Sequence, residues 1–430
     1  MNASKRERAV IVGGVRTPFV KAFSEFTRLD TILLAKAAIE GLLRNTGVSK
    51  SLIESVVWGG VILPSASPNV GREVALDVGL PTAVEAMTVT RACASGLQAI
   101  TTAAAMIERG DCSIAIAGGS DSTSNAEVKL PQKVVHAMAP LALGRPTAGD
   151  YWSALAQLAP FAGVFPTRPK IAERTTGEVM GEAAERMAQR NGITREEQDA
   201  FALRSHQRAA AAIASGRFDR EVVPVHLPNG SSVSSDGLVR ADTSLERLAK
   251  LRPVFAKGGT ITAGNASPLT DGAACVLLVS ESRARALGLV PLAAITEWAY
   301  VGVDSRDQLL LGPALAIPKV LDRAGVSLQE CDFVDLHEAF AAQVLSVTKM
   351  LASDAFAKER LGRDRAVGAI DDARLNVHGG SLSLGHPFGA TGARMVSTMA
   401  HELARSGKRR AVLGICAAGG LGAAAILEQV

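Results

Sequence analysis

The sequence predicts an α/β fold made of two copies of one helix-strand unit, with a subdomain inserted into the first copy. Three observations predict it. Apolar residues make up 47% of the 430-residue chain and aromatics only 4%, so the core must be built from Ala, Val, Leu and Ile in close helix-on-sheet packing. The segments TGVSKSLIESVVWG (46–59) and AGVSLQECDFVDLH (324–337) share a Gly-Val-Ser helix stop, a short polar turn and an apolar strand at matching offsets, as a duplicated unit would. Third, AVLGICAAGGLGAAAILE (411–428) reads as a strand, a glycine-rich turn and a second strand. Its counterparts in the first half, SIAIAGGSDS (113–122) and DGAACVLLVS (271–280), stand far apart in the chain.

The elements follow in order. A strand begins within MNASKRERAVIVGG, and Ala/Leu-rich helices at 31–45 and 313–324 run into the two repeated stops. In MTVTRACASGLQAITTAAAMIERG (87–110) a β-branched strand ends near Arg91, and Leu97, Ile100, Ala104 and Ile107 then recur at helical spacing. The insert changes character, from an apolar, proline-interrupted stretch between Val134 and Pro166 to a charged helical run. Thr194 and Glu197 supply a capping-box start for that run and Gly216 a stop. The expected organisation is an N-terminal half of residues 1–122 plus 250–284, an inserted covering subdomain at 123–249, and a C-terminal half at 285–430.

Composition narrows the partners. The net charge of +4 is spread without a long basic block, which argues against a nucleic-acid track and against a polybasic membrane anchor. Five cysteines, an odd number with no CxxC, do not read as a disulfide framework. The start lacks the apolar stretch of a secretion signal, and no apolar run is long enough for a transmembrane segment. A cytoplasmic, reduced setting and a small-molecule partner are expected.

Cys93 falls at a strand-to-helix turn, just before a helix N-terminus, where unpaired N–H groups and the helix dipole favour a thiolate. Small neighbours, Ala94, Ser95 and Gly96, leave the sulfur approachable. His386 occupies the matching place in the second copy, within SLSLGHPFGATGAR (381–394). A quasi-twofold would bring both helix starts to one crevice, pairing a nucleophilic thiol with a base. Taken singly, Cys93 is also explained as a packing cysteine and His386 as a turn histidine. Cys416 ends a strand before AAGGLG and offers a second thiol for proton transfer at a carbon acid, with a pKa tuned toward working pH. It too reads as a small strand hydrophobe. His337, beside Glu338 in DLHEAFAAQ (335–343), lacks the second histidine of the zinc motif, so no metal is expected. Cys112, Cys275 and Cys331 read as packing.

Taken together, RACASG, TAGNASPLTDGAA (262–274), HEAFAAQ, NVHGGSLSLGHPFGATGAR (376–394) and CAAGGLGAA (416–424) resemble the thiolase family of acyl-CoA:acetyl-CoA C-acyltransferases, in family order over nearly the whole chain. HEAF and CAAGGLGAA are similar to the branch of fatty-acid oxidation complex β-subunits. The resemblance implies a five-layered αβαβα sandwich of two duplicated halves and 3-ketoacyl-CoA thiolysis, with CoA and acyl-CoA as substrates and no permanently bound cofactor. It implies Cys93 as nucleophile, His386 as its base, Cys416 as the second acid/base, and two oxyanion sites. One uses His386 with a water held by His337, and the other the backbone N–H groups of Cys93 and Ala418. Ser267, Arg240, Met180 and Phe340 fall at family positions for CoA or acyl contacts. A homodimer or homotetramer is implied, as is association with a hydratase/dehydrogenase subunit. His337 and His378 stand where many members carry Asn, and Ala418 where many carry Gly. A condensing 3-ketoacyl synthase and a non-catalytic acyl-CoA-binding scaffold are the competing readings.

Overall fold

The computed structural model describes residues 7–166 and 172–430. Its strands are β1 (Ala9–Arg16), β2 (Val20–Lys21), β3 (Ser55–Gly59), β4 (Glu85–Val89), β5 (Ile114–Ser122), β6 (Val225–His226), β7 (Ser232–Val233), β8 (Thr270–Ser280), β9 (Ala293–Gly302), β10 (Phe333–Leu336), β11 (Arg410–Ala417) and β12 (Leu421–Glu428). The main path runs β10-β11-β12-β9-β1-β8-β5-β3-β4. It contains a duplication. The order β1-β8-β5-β3 in the first half matches β9-β12-β11-β10 in the second, and both are paired antiparallel, antiparallel, parallel. β4 lies parallel to β3, and a parallel bridge from Val334 to Leu375 stands in the equivalent place. The split hairpin closes as expected, with β5 and β8 antiparallel from Ile114–Val279 to Ser122–Asp271.

Local chemistry accounts for the repeated unit. Helix Thr31–Thr46 stops at Gly47 with φ 68°, and helix Pro313–Ala324 at Gly325 with φ 65°, a left-handed conformation that glycine adopts without a Cβ penalty. Ser49 and Ser327 then open short 3-10 turns that lead into β3 and β10.

Strand alternation sets the layers. In the first half, Ile114, Ile116, Cys275, Leu277 and Val279 pack with helix Thr31–Thr46, whereas Ala115, Ala117, Ala274, Val276 and Leu278 pack with helices Ser95–Arg109 and Phe388–Ser406. In the second, Val412, Ala424 and Ile426 meet helix Pro313–Ala324, while Leu413, Ala423, Ala425 and Leu427 face the same two central helices. The layers therefore run helix, sheet, helix, sheet, helix.

The two central helices touch backbone to backbone near their starts. A Cβ on Gly96 would collide with the carbonyl oxygen of Gly389, and one on Gly392 with the backbone nitrogen of Leu97. The small residues after His386 are thus required by close approach, and that approach draws the starts of the two helices together.

Residues Ala126–Ile171 form a separate compact unit. Its helices Gln132–Leu143 and Ala148–Leu158 pack on each other, with Ala137 and Ala154 buried and Lys133 Nζ donating to the Leu158 carbonyl at 2.9 Å. In the larger unit, the charged helix Arg195–Ala214 starts in the expected capping box at Thr194 and Glu197. No helix among the described residues is long and apolar enough to cross a membrane.

Candidate active site

Cys93 sits in the tight turn between β4 and helix Ser95–Arg109. Ala92 takes φ 45° there, a left-handed conformation that costs an alanine energy and must be held by its surroundings. Ser95 does so: its Oγ accepts from the Arg91 N–H at 2.7 Å and donates to the Ala92 carbonyl at 2.7 Å. The Cys93 sulfur receives the backbone N–H groups of Cys93 itself and of Ala418. Ala418 is not among the described residues with positive φ.

His386 precedes helix Phe388–Ser406. Its N–H donates to Thr270 Oγ1 at 3.0 Å, and its Nδ1 pairs with Thr391 Oγ1, one turn into the helix, at 2.7 Å. This bond leaves Nε2 free for chemistry. His337 follows β10, anchored by its N–H to the Gly414 carbonyl at 2.8 Å and by Nδ1 to Ser381 Oγ at 3.0 Å. The two imidazole centroids are 4.2 Å apart. The ligand atoms of Cys93, His337 and His386 all lie within 4.8 Å of one another. Cys416, at the end of β11 opposite Gly422, is close enough for the charge on Cys93 to act on it. Three distant segments thus assemble a thiol and two imidazoles, donor types that zinc also takes and that no local spacing announced.

The electrostatics correct two expectations. The helix start does not make Cys93 a resting thiolate: burial pushes its thiol up to about 11, outweighing the N–H groups of Ala418 and Cys93. Burial also carries Cys416 well above its ordinary range rather than toward neutrality, aided by the charge on Cys93. His386 is pushed down to about 3 by burial and by the Arg394 cation. Burial, then His386 and Arg394, holds His337 well below the ordinary imidazole range. Desolvation penalises each charged form, so the free site holds neutral thiols beside neutral imidazoles. Alkylation of Cys93 by iodoacetamide is therefore expected to rise about tenfold per pH unit between pH 7 and 9, because the thiolate fraction does so below the pKa. Mass mapping of the labelled cysteine checks this, and a rate already level at pH 7 contradicts it.

The residues assigned to CoA or acyl contacts are placed as follows. Phe340 is buried, edge-on to Phe255 at 6.0 Å, and bridges to Ala266. Ser267 N–H donates to the Ala339 carbonyl at 3.0 Å. Half-buried Met180 opens helix Met180–Asn191 and packs in the same apolar cluster as Phe340. Arg240 is exposed, its N–H donating to His206 Nδ1 at 3.1 Å. His378 meets Glu402 at 2.9 Å through Nε2.

Several supports were missed in the sequence. Asp121, buried and pushed up to about 7 by desolvation, accepts N–H groups from Val61 at 3.0 Å, Ile62 at 2.6 Å and Gly389 at 2.6 Å, tying the two halves beside the site. Glu338, read only as a neighbour of His337, accepts from Asn376 Nδ2 at 2.7 Å, Ser205 Oγ at 2.7 Å and the Leu382 N–H at 3.1 Å. Polar residues within otherwise apolar strand ends, as in GGSDS and DLHEAF, were the available signal.

Comparison with known proteins gives this arrangement a lineage. The family described as "Thiolase, N-terminal domain" matches residues 9–282, and "Thiolase, C-terminal domain" matches residues 289–429. The chain belongs to the thiolase family. A 3-ketoacyl-CoA thiolase of Serratia proteamaculans (strain 568) is 45% identical over 98% of this thiolase and 97% of its own length. The crystal structure of human mitochondrial 3-ketoacyl-CoA thiolase superposes with a TM-score of 0.85 at 31% identity, covering 99% of each chain. The same human enzyme in complex with CoA gives a TM-score of 0.83 at 31% identity, over 99% of this thiolase and 98% of that chain.

Proposed function

We infer that this thiolase is a 3-ketoacyl-CoA thiolase, an acyltransferase that cleaves 3-ketoacyl-CoA with CoA to acetyl-CoA and a shortened acyl-CoA. The observation that carries the reading is the meeting of Cys93 with His386 at two facing helix starts, within reach of Cys416. Because the free pair is neutral, the Cys93 proton passes to His386 Nε2 as the sulfur attacks the 3-keto carbon. The C2–C3 bond then breaks, leaving an acyl group on Cys93 and a carbanion that takes the Cys416 proton to become acetyl-CoA. CoA next loses its thiol proton to Cys416 and attacks the thioester, and His386 returns its proton to Cys93. The backbone N–H groups of Cys93 and Ala418 face charge that develops on the thioester oxygen, and His386 with His337 faces the other oxyanion. Such donors act most strongly where they are fixed and dry, each contributing ~10²–10³ in rate.

CoA and acyl-CoA are substrates here, with no resident cofactor. The acyl end runs toward Met180 and Phe340, with Ser267 and Arg240 along the CoA arm. The role is degradative, in fatty-acid β-oxidation, in the cytoplasm, as a homodimer or homotetramer that can join a hydratase/dehydrogenase subunit. The test is thiolysis across a series of 3-ketoacyl-CoA chain lengths, with the acyl-enzyme at Cys93 trapped and weighed. CoA-dependent cleavage through a labelled Cys93 is expected, and cleavage at no length would overturn the reading.

A further inference from the structure

A deeply buried ionic pair beside the site has no role in the steps above. Asp335 and Arg394 have side chains only 2% and 1% exposed, and Arg394 Nη1 lies 3.6 Å from Asp335 Oδ2. Neither Asp335 carboxylate oxygen has a hydrogen-bond partner in the structure, so the carboxylate faces Arg394 as a charge. Arg394 Nη2 reaches on to Ser381 Oγ at 3.3 Å, and Ser381 Oγ to His337 Nδ1 at 3.0 Å. His337 Nε2 is buried and has no partner, on a ring 4.2 Å from that of His386.

The direction of these bonds can be worked out. A guanidinium only donates, so Ser381 Oγ accepts from Arg394. The serine has one hydrogen, and of its two partners only His337 Nδ1 can accept it. A neutral imidazole that accepts at Nδ1 carries its hydrogen on Nε2. We propose that Ser381, oriented by the Asp335–Arg394 pair, is a positioning residue that fixes His337 in the Nε2–H tautomer and so aims a ready-made donor at the Cys93–His386 site.

This rests on the thiolase reading for its use: the unpartnered Nε2–H is a direct donor to the substrate oxyanion, in place of the water that an amide at this position would hold. It also explains a neutral ring beside a buried cation. Arg394 opposes protonation of both imidazoles, while its hydrogen bond through Ser381 leaves His337 a donor without being charged. Asp335 answers the guanidinium charge at Nη1, while Nη2 is committed to Ser381.

The experiment is ¹⁵N NMR of histidine-labelled protein, in which the His337 signals among seven histidines are assigned by their loss in His337→Gln. Paired nitrogens of the Nε2–H tautomer are expected in the wild type. In Ser381→Ala the Nδ1 resonance should shift on losing its donor, with kcat for thiolysis falling ~10–10²-fold, KM changing less than threefold, and Ser381→Thr restoring both. Thermal melting of each variant separates loss of the fold from loss of the bond. A wild-type Nδ1–H tautomer, or a folded Ser381→Ala with unchanged resonance and kcat, overturns the proposal. Absence of thiolysis in the wild type would instead sink the functional reading, because the tautomer is read without turnover.

Discussion

Cys93→Ser is expected to fold normally, bind 3-ketoacyl-CoA, and lose thiolysis by about 10⁴-fold or more, the scale seen when a covalent nucleophile is removed. The reason lies in proton affinity. A thiol pushed up to about 11 can still surrender its proton to a neutral imidazole while the sulfur bonds to carbon. A serine hydroxyl in the same dry turn is a far weaker acid and a poorer nucleophile. The substitution hardly changes volume, and Ala92 and Ser95 hold the turn through backbone and Ser95 contacts rather than through the Cys93 side chain. Thermal stability should therefore stay close to wild type. Mass spectrometry after mixing with 3-ketoacyl-CoA reads the result: no acyl adduct on the variant, a stoichiometric one on the wild type before CoA is added. A variant that turns over at even a tenth of the wild-type rate would remove Cys93 from the mechanism, whereas a wild type that neither forms the adduct nor turns over would leave an acyl-CoA-binding scaffold as the reading.

Much of this architecture could be read before any coordinates, for a physical reason. Strands and helices announce themselves by local periodicity, and a duplication repeats each signal, so the Gly47 and Gly325 stops corroborate one another. The split hairpin was legible because each of its strands carries a long apolar run and the second copy shows the unbroken version. The pairing of Cys93 with His386 followed from the same symmetry, since equivalent turns of two facing copies must approach. The small residues after His386 read as a turn, whereas their function is to let two helices touch.

What stayed illegible depends on burial. A helix N-terminus is visible in a sequence and the dryness around it is not, so the thiolate expected at Cys93 gave way to desolvation. The same blindness hid Asp121 and the Asp335–Arg394 pair, because a charged residue in an apolar segment looks solvated until its partners, on other elements well away in the chain, are placed. The compact unit Ala126–Ile171 showed in the sequence as the apolar, proline-interrupted stretch from Val134 to Pro166, but it was grouped with the charged helical run after it, which the structure keeps in the larger unit.

Cys416→Ala should divide the reaction in two. Moving an acyl group from a simple acyl-CoA onto Cys93 breaks a C–S bond, and the leaving thiolate can take its proton from His386. No carbon acid is involved, so labelling of Cys93 by acetyl-CoA should survive. Thiolysis breaks a C–C bond and needs an acid for the carbanion; at neutral pH Cys416, carried well above its ordinary range, is fully protonated and able to give one. Its loss should lower thiolysis and α-proton exchange of acetyl-CoA by ~10²–10⁴-fold. The sign of the pH effect follows. Burial is the first cause of the raised Cys416 pKa, and it persists when Cys93 is acylated, so the Cys416 thiolate becomes populated only as the pH rises. Condensation, which needs the Cys416 thiolate, should therefore climb with pH through the alkaline range, whereas cleavage, which needs the thiol, should not. A condensing synthase has no use for a second thiol, so a Cys416→Ala enzyme that condenses at the wild-type rate would move this chain into that class.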